Sequence, residues 1–196
     1  MAGPATGNRQ GARTGPRCIC FTLVAVIFLI GLAVLITWLV LRPKQLIYTL
    51  ETGKVSGLDL HKEHLNGTFD FYLRAYNPNK RVSLYYDSMQ AMVYYGGQTI
   101  ASQTLEPFYQ PRRNMTRLEI KPIAHSVGLP SSLARDLRLE KSSEEIEIDI
   151  RLKARIRFKV GVWKSSHYTL KVHCSNLEMH LNSTKNFKGH KCDVDT

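Results

Sequence analysis

The sequence lacks the short motifs on which most enzyme sites are built. It has no Gly-x-Ser-x-Gly, no Gly-x-Gly-x-x-Gly, no phosphate loop and no His-Glu-x-x-His. That argues against a serine hydrolase elbow, a dinucleotide fold, a nucleotide triphosphatase and a zincin, and it implies no cofactor. Cysteine is scarce, four in 196 residues, so a disulfide-dense scaffold is excluded. There is no internal repeat, and no alternation of strands with helices of the kind a parallel sheet needs. Acidic residues are absent from the first 17 positions, which carry Arg9, Arg13 and Arg17 among Gly, Pro, Ala and Thr. That composition cannot build a core, so 1–17 reads as a short basic disordered tail.

Charge is also missing from 18–41, between Arg17 and Arg42. A helix of 24 residues covers about 36 Å, against a hydrocarbon core of about 30 Å. An isolated apolar run of this length satisfies its backbone in lipid only as a helix. A cleaved signal peptide has a shorter apolar core of about 7–15 residues and a small-residue cleavage site; here the run ends in Trp38-Leu39-Val40-Leu41. We read 18–41 as an uncleaved transmembrane helix with the bilayer as partner. Cys18 and Cys20, beside Arg17, are candidates for palmitoylation or plain apolar members of the span.

The flanking cations are balanced, Arg9, Arg13 and Arg17 against Arg42, Lys44 and Lys54, so they do not set the orientation. Other features do. The sequons at Asn66, Asn114 and Asn182 all follow the helix. Cys174 and Cys192 lie close together near the C-terminus, as a disulfide in an oxidising compartment would. With His173 and His190 they are also zinc ligands of suitable type; outside the cell a disulfide is the simpler reading. The expected orientation is tail in the cytoplasm and domain outside.

Residues after the helix suffice for one domain with a real core. Residues 43–196 hold 23 Lys and Arg against 16 Asp and Glu, a surplus of seven. That balance suits an anionic partner, and an external location disfavours nucleic acid. We divide this part into 42–66, a stalk with first strands, and 67–196, the domain proper. Residues 68–76 alternate, with Phe69, Phe71, Leu73 and Ala75 on one face. Asn77-Pro78-Asn79 is a turn. Runs follow at 81–86, 89–95, 98–102, 115–120, 168–174 and 177–181, with Gly96-Gly97 as a hairpin turn. Residues 131–141 carry Leu133, Leu137 and Leu139 at helical spacing, with Ser131 or Ser132 as cap. From 146 to 162 every second residue is apolar. One straight strand of that length would exceed about 50 Å, so a bend or bulge is expected near Ala154 or Gly161. Many strands separated by turns predict an antiparallel sandwich.

Three constellations have both a bland and a functional reading. His61 and His64 form a weak metal pair or a polar loop. Tyr85, Tyr86, Tyr94, Tyr95, Phe108 and Tyr109 are core, or a stacking surface for sugars. The outward face of the long run changes from Glu147 and Asp149 to Arg151, Lys153, Arg155, Arg157 and Lys159. That row is a solvated, edge-protecting face or a binding surface for an anionic partner such as acidic cell-wall polysaccharide or lipid headgroups.

The ordered set Asn77-Pro78-Asn79-Lys80-Arg81, Tyr85-Tyr86-Asp87 and Pro107-Phe108-Tyr109-Gln110 resembles the plant late-embryogenesis-abundant group 2 family. So does the close of the chain, Lys171-Val172-His173-Cys174 and Lys191-Cys192-Asp193-Val194-Asp195. With the anchor, the chain resembles that family's membrane branch, the non-race-specific-disease-resistance and harpin-induced-like proteins. The resemblance implies an immunoglobulin- or fibronectin-like β-sandwich at the plasma membrane, a role in defence and stress, no enzyme activity, and partners among membrane or signalling proteins. It leaves open enrichment at cell-to-cell channels. It also implies that the Asn77-Pro78-Asn79 turn joins two strands, with a recognition role as the alternative.

Overall fold

The structure, a computed structural model, describes Gly3, residues 15–41, 44–181 and 189–195, with helix side chains given for 19–36. Two units form: Met1–Arg42 and Pro43–Thr196. The first holds α1 (Gly15–Leu41). Its Ile19–Ile36 stretch is long and apolar enough to cross a membrane, and every side chain described in it is exposed. Such a stretch has its apolar surface still to cover, which a lipid phase would do.

The second unit is a set of antiparallel strands with one short helix. The strands are β1 (Ile47–His61), β2 (His64–Tyr76), β3 (Ser83–Tyr95), β4 (Gln98–Leu105), β5 (Phe108–Gln110), β6 (Met115–Ile120) and β7 (Ile123–Gly128). After α2 (Ser131–Ser143) come β8 (Glu145–Val160), β9 (Trp163–Lys164), β10 (Tyr168–His180) and β11 (His190–Asp195). The order is β4-β3-β8-β10-β11-β1-β2-β6, with β5 on β3, β7 on β2 and β9 on β8. Strand β11 joins the halves by pairing with β10 on one side and β1 on the other. We call β11, β1, β2, β6 and β7 sheet A, and the rest sheet B. The expected mainly β antiparallel sandwich with one short helix is what forms, closed almost into a barrel.

Alternation decides the core. Phe69, Phe71, Leu73 and Ala75 of β2 meet Ile146, Ile148, Ile150, Leu152, Ala154 and Ile156 of β8 in one buried cluster. The core residues all lie between Leu46 and Cys192, so Pro43–Thr196 has a complete core and folds without the helix. The boundary expected at 67 is corrected: β1 runs through 47–61 in mid-sheet, and β2 begins at His64. Thr49, Thr52, Gly53, Lys54 and Gly57 blur the pattern there. His61 and His64, expected on a loop, face each other across the tight β1–β2 turn.

Strand β8 stays regular, and its length is absorbed by the neighbours. Asp87 is an extra residue in β3 between the Tyr86–Ile156 and Ser88–Arg155 pairs. Ser175 and Asn176 together oppose Asp149 from β10. The bulge expected near Ala154 thus sits on the facing strand, and β3 and β10 are each one strand where the sequence pattern reads two runs. Gly161, at φ +58°, turns the chain between Val160 and Trp163, a conformation few other residues tolerate.

The helix cap is also corrected. Pro130 holds the N-cap position without a side-chain cap bond, its carbonyl accepting from the Ala134 N–H at 2.9 Å. Ser131 donates its hydroxyl to Glu63 at 2.6 Å instead. Ala134 and Leu137 are buried, whereas Leu139 points to solvent. Cys174 and Cys192 are joined, Cα to Cα 4.5 Å. They sit on adjacent strands, one register step from the His173–Asp193 pair. Residues 190–195 are therefore a central strand and not a tail held by a bridge.

Candidate functional site

The Asn77-Pro78-Asn79 turn is a buried polar clasp. Asn77 is fully buried and Asn79 nearly so. The Asn77 side-chain N–H groups donate to the carbonyls of Val82 at 2.9 Å and Pro111 at 3.0 Å. Its Oδ1 accepts from the backbone and side-chain nitrogens of Asn79, each at 3.0 Å. Asn79 holds Lys44 as a strand neighbour would: Oδ1 accepts from the Lys44 N–H at 2.7 Å and Nδ2 donates to the Lys44 carbonyl at 3.0 Å. Two asparagines thus satisfy backbone groups that would otherwise be stranded. Enclosed like this, they do not offer a recognition surface.

Beside the clasp runs a second chain. Tyr48 and Tyr86 hydroxyls meet at 2.7 Å, Tyr86 donates to Gln110 Oε1 at 3.1 Å, and Gln110 Nε2 donates to the Ala75 carbonyl at 2.9 Å. Burial pushes both phenols up from their ordinary pKa. The aromatic group divides as alternation requires. Tyr86 and Tyr95 are core, while Tyr85, Tyr94 and Tyr109 look outward.

The two outer faces differ in charge. On sheet A, Glu51 pairs with Arg74 and Arg117 at 3.5 and 3.3 Å, and Glu119 with Lys121 at 2.6 Å. Arg117 also covers the Tyr72 ring at 4.4 Å. Each of these three cations thus has an acidic partner.

On sheet B this holds only in part. Arg157 binds Asp87 through two nitrogens, its Nε at 2.8 Å, and this holds the Asp87 carboxyl below its ordinary range. The β3 bulge is what turns Asp87 toward this face. Arg151 lies over the Tyr94 ring at 4.4 Å, and Lys159 lies 5.8 Å from both Tyr85 and Tyr109. Lys153 and Arg155 form no ion pair among the described residues, although the Arg155 charge also acts on Asp87, and both are exposed. Lys153 stands opposite Lys171 in register, a like-charge pairing that costs stability; Lys171 has Asp195 on its far side. Lys153 and Arg155 border an open depression of about 650 Å³, together with Ser88, Gln90, Thr104 and His167. The lining thus combines two cations with hydroxyls and an amide.

The remaining candidates fall elsewhere. His64 Nδ1 lies 3.4 Å from the Ser126 hydroxyl, long for a nucleophile and its base. Cys174 and Cys192, bonded to each other, offer no thiolate to zinc. Asn114 is exposed; Asn66 is half-buried in β2, its Oδ1 accepting from the Ser126 N–H at 2.8 Å. The Asn182 sequon lies outside the described residues, as does the Cys18 side chain; Cys20 is exposed.

Comparison with known families gives a match to the late embryogenesis abundant protein model, LEA_2, over residues 72–174. This spans β3 to β8, both asparagines of the clasp and Cys174. The chain belongs to the LEA_2 family.

Several Arabidopsis thaliana proteins resemble it over most of its length. An uncharacterized Arabidopsis thaliana protein is 38% identical over 177 residues, 89% of this chain and 80% of that one. NDR1/HIN1-like protein 3 of Arabidopsis thaliana is 32% identical, covering 88% and 78%. Protein NDR1 of the same plant is 27% identical, covering 84% and 78%. Among solved structures, a putative late embryogenesis abundant protein aligns with a TM-score of 0.37 at 19% identity, covering 69% of this chain and 74% of that one. What the sequence pattern missed in this LEA_2 chain is the set of partners for Lys44, Asp87 and Gln110. Each depends on residues 24 to 70 positions away, and no local period reports that.

Proposed function

We propose that this LEA_2 chain is a non-enzymatic plasma-membrane protein of plant defence and stress response, acting by binding partners through an extracellular sandwich. Its anchor is the α1 segment, with the N-terminus in the cytoplasm. Membership of a family that includes NDR1/HIN1-like proteins supports the defence role.

One observation carries the binding reading: on sheet A, Arg74, Arg117 and Lys121 are each ion-paired, whereas on sheet B Lys153 and Arg155 form no ion pair among the described residues and border a hydroxyl-lined depression. The ligand class that fits is an acidic polysaccharide, its carboxylates toward Lys153 and Arg155 and its hydroxyls toward Ser88, Thr104 and Gln90. This makes the protein a link between membrane and wall. Arg157 is less available, because Asp87 already holds it.

The test is retention of residues 43–196 on polygalacturonate at rising salt. Exposed charges are screened within about 8 Å at physiological ionic strength, so retention falls steeply with salt. The double change Lys153→Gln and Arg155→Gln abolishes it while leaving thermal stability unchanged or slightly higher. Retention that survives both the salt and the double change refutes the site.

A further inference from the structure

The apolar alternation of β8 outruns the core. Ile156 is buried, Phe158 and Val160 are half-buried, and beyond the Gly161 turn Val162 is fully exposed and Trp163 is 61% exposed. At this hairpin tip Val162 is uncovered and Trp163 leaves more than half of its surface open. Their neighbours are cations. Lys164 lies over the Tyr85 ring at 4.8 Å, and Lys159 pairs with Lys164 across the hairpin.

Register and hydrogen bonds gather more cations at this end of the sandwich. Ser83 pairs with Lys159, which brings the 77–82 turn alongside. The Arg113 N–H donates to the Asn79 carbonyl at 3.1 Å, which brings 111–114. The same Asn79 holds Lys44, three residues after the apolar run ends. Lys80, Arg81, Arg112, Arg113 and Lys164 are exposed and form no ion pair among the described residues. Segments 43–47, 77–83, 108–118 and 158–166 contain no Asp or Glu. Asp87 is occupied by Arg157, and Asp193 and Asp195 of β11 border residues 45–47 beside Lys191.

We infer that this end of the domain docks on an anionic lipid surface, with Val162 and Trp163 entering the headgroup layer and the surrounding cations meeting lipid phosphates. The chemistry is that of interfacial binding: indole rings favour the headgroup level, a small apolar element supplies insertion, and basic side chains supply attraction to anionic lipid. A linear polyanion would use the cations and leave Val162 in water, so the apolar tip selects lipid. This site is separate from Lys153 and Arg155, which lie further along β8, and does not depend on them. A glycan on Asn114 would stand at this same end. The inference therefore leaves Asn114 bare.

The sequence has two tryptophans, Trp38 and Trp163. The full chain carrying Trp38→Phe, in nanodiscs, makes Trp163 the only reporter. With phosphatidylserine present, its emission is blue-shifted and is quenched by brominated acyl chains. Removing three cations with Lys164→Gln, Arg112→Gln and Arg113→Gln shifts the docked-to-free ratio about 100-fold, at roughly fivefold for each cation. Val162→Ser, at a fully exposed site, weakens the quenching without touching the fold. Lys153→Gln with Arg155→Gln leaves it unchanged. Emission typical of water in every disc overturns the inference. So does a response to polygalacturonate in place of lipid, or loss of quenching only in the Lys153 and Arg155 variant. Mass mapping that finds Asn114 fully glycosylated overturns it as well.

Discussion

Replacing Asn77 tests whether the most recognisable motif of the chain is architecture. Asn77→Ala removes the donors to the Val82 and Pro111 carbonyls and the acceptor for the Asn79 N–H. All of these groups are enclosed. A buried polar group left without a partner costs about 1–3 kcal/mol. Carbonyls, with two lone pairs, fall at the low end, so the sum is about 3–5 kcal/mol. Whole-domain stability is about 5–15 kcal/mol, so the loss is a large fraction of it. At about 2–4 °C per kcal/mol for a domain of this size, Tm of residues 43–196 falls by roughly 10 °C. Circular dichroism on heating measures it. Asn77→Asp sharpens the test. It keeps the shape but turns an oxygen toward two carbonyls, so it is at least as damaging as alanine at neutral pH. Burial raises the new carboxyl's folded pKa above its unfolded value of about 3.9. The penalty is therefore absent below that pH and grows as pH rises through it. A variant of either kind within 1 kcal/mol of the parent would refute the clasp.

Reducing the Cys174–Cys192 bridge, or changing both to Ala, lowers stability by about 3 kcal/mol for a closed loop of this length in the chain-entropy account; mass mapping that finds both thiols free in protein from the secretory route removes the premise. Glycosidase treatment of the extracted full chain increases mobility through loss of glycan from Asn66 or Asn182, and protease on intact cells digests the sandwich; no shift together with full protection reverses the orientation. The Asp87–Arg157 pair depresses the Asp87 pKa, so its contribution is present above about pH 4 and fades as pH drops through the lower, folded value. Asp87→Asn removes that part of the pH dependence, and an unchanged acid-unfolding profile contradicts it.

Much of the fold is legible in single residues. Phe69 to Ala75 and Ile146 to Ile156 alternate because one face is core and the other wet, and the structure buries those side chains. Gly96-Gly97 turns where two positive φ values are needed. Strand β1 is hidden because two register irregularities, two glycines and two threonines interrupt its period, although it is central. Strand β11 escapes because six residues next to the chain end carry too short a pattern. The cap at Ser131 fails because Pro130 already supplies helix-compatible geometry and Glu63, far away in sequence, claims the hydroxyl. The basic row is visible as spacing, but spacing treats its five members alike. Only the β3 bulge, which brings Asp87 to Arg157, separates an ion-paired cation from Lys153 and Arg155, which form no ion pair among the described residues. The Val162–Trp163 tip reads from sequence as one more turn of the alternation, because the end of the core is a three-dimensional fact.

The most direct test of the account is where the partner sits on intact plant cells. Photo-crosslinking residues placed at Gln90 and Thr169 flank Lys153 and Arg155 on the outer face of sheet B; residues at Tyr72 and Arg74 lie on the ion-paired outer face of sheet A. The account predicts adducts from the sheet B positions on unpermeabilised cells, reduced by high salt, and few or none from sheet A. Adducts confined to sheet A, or formed only after the membrane is opened, would contradict it.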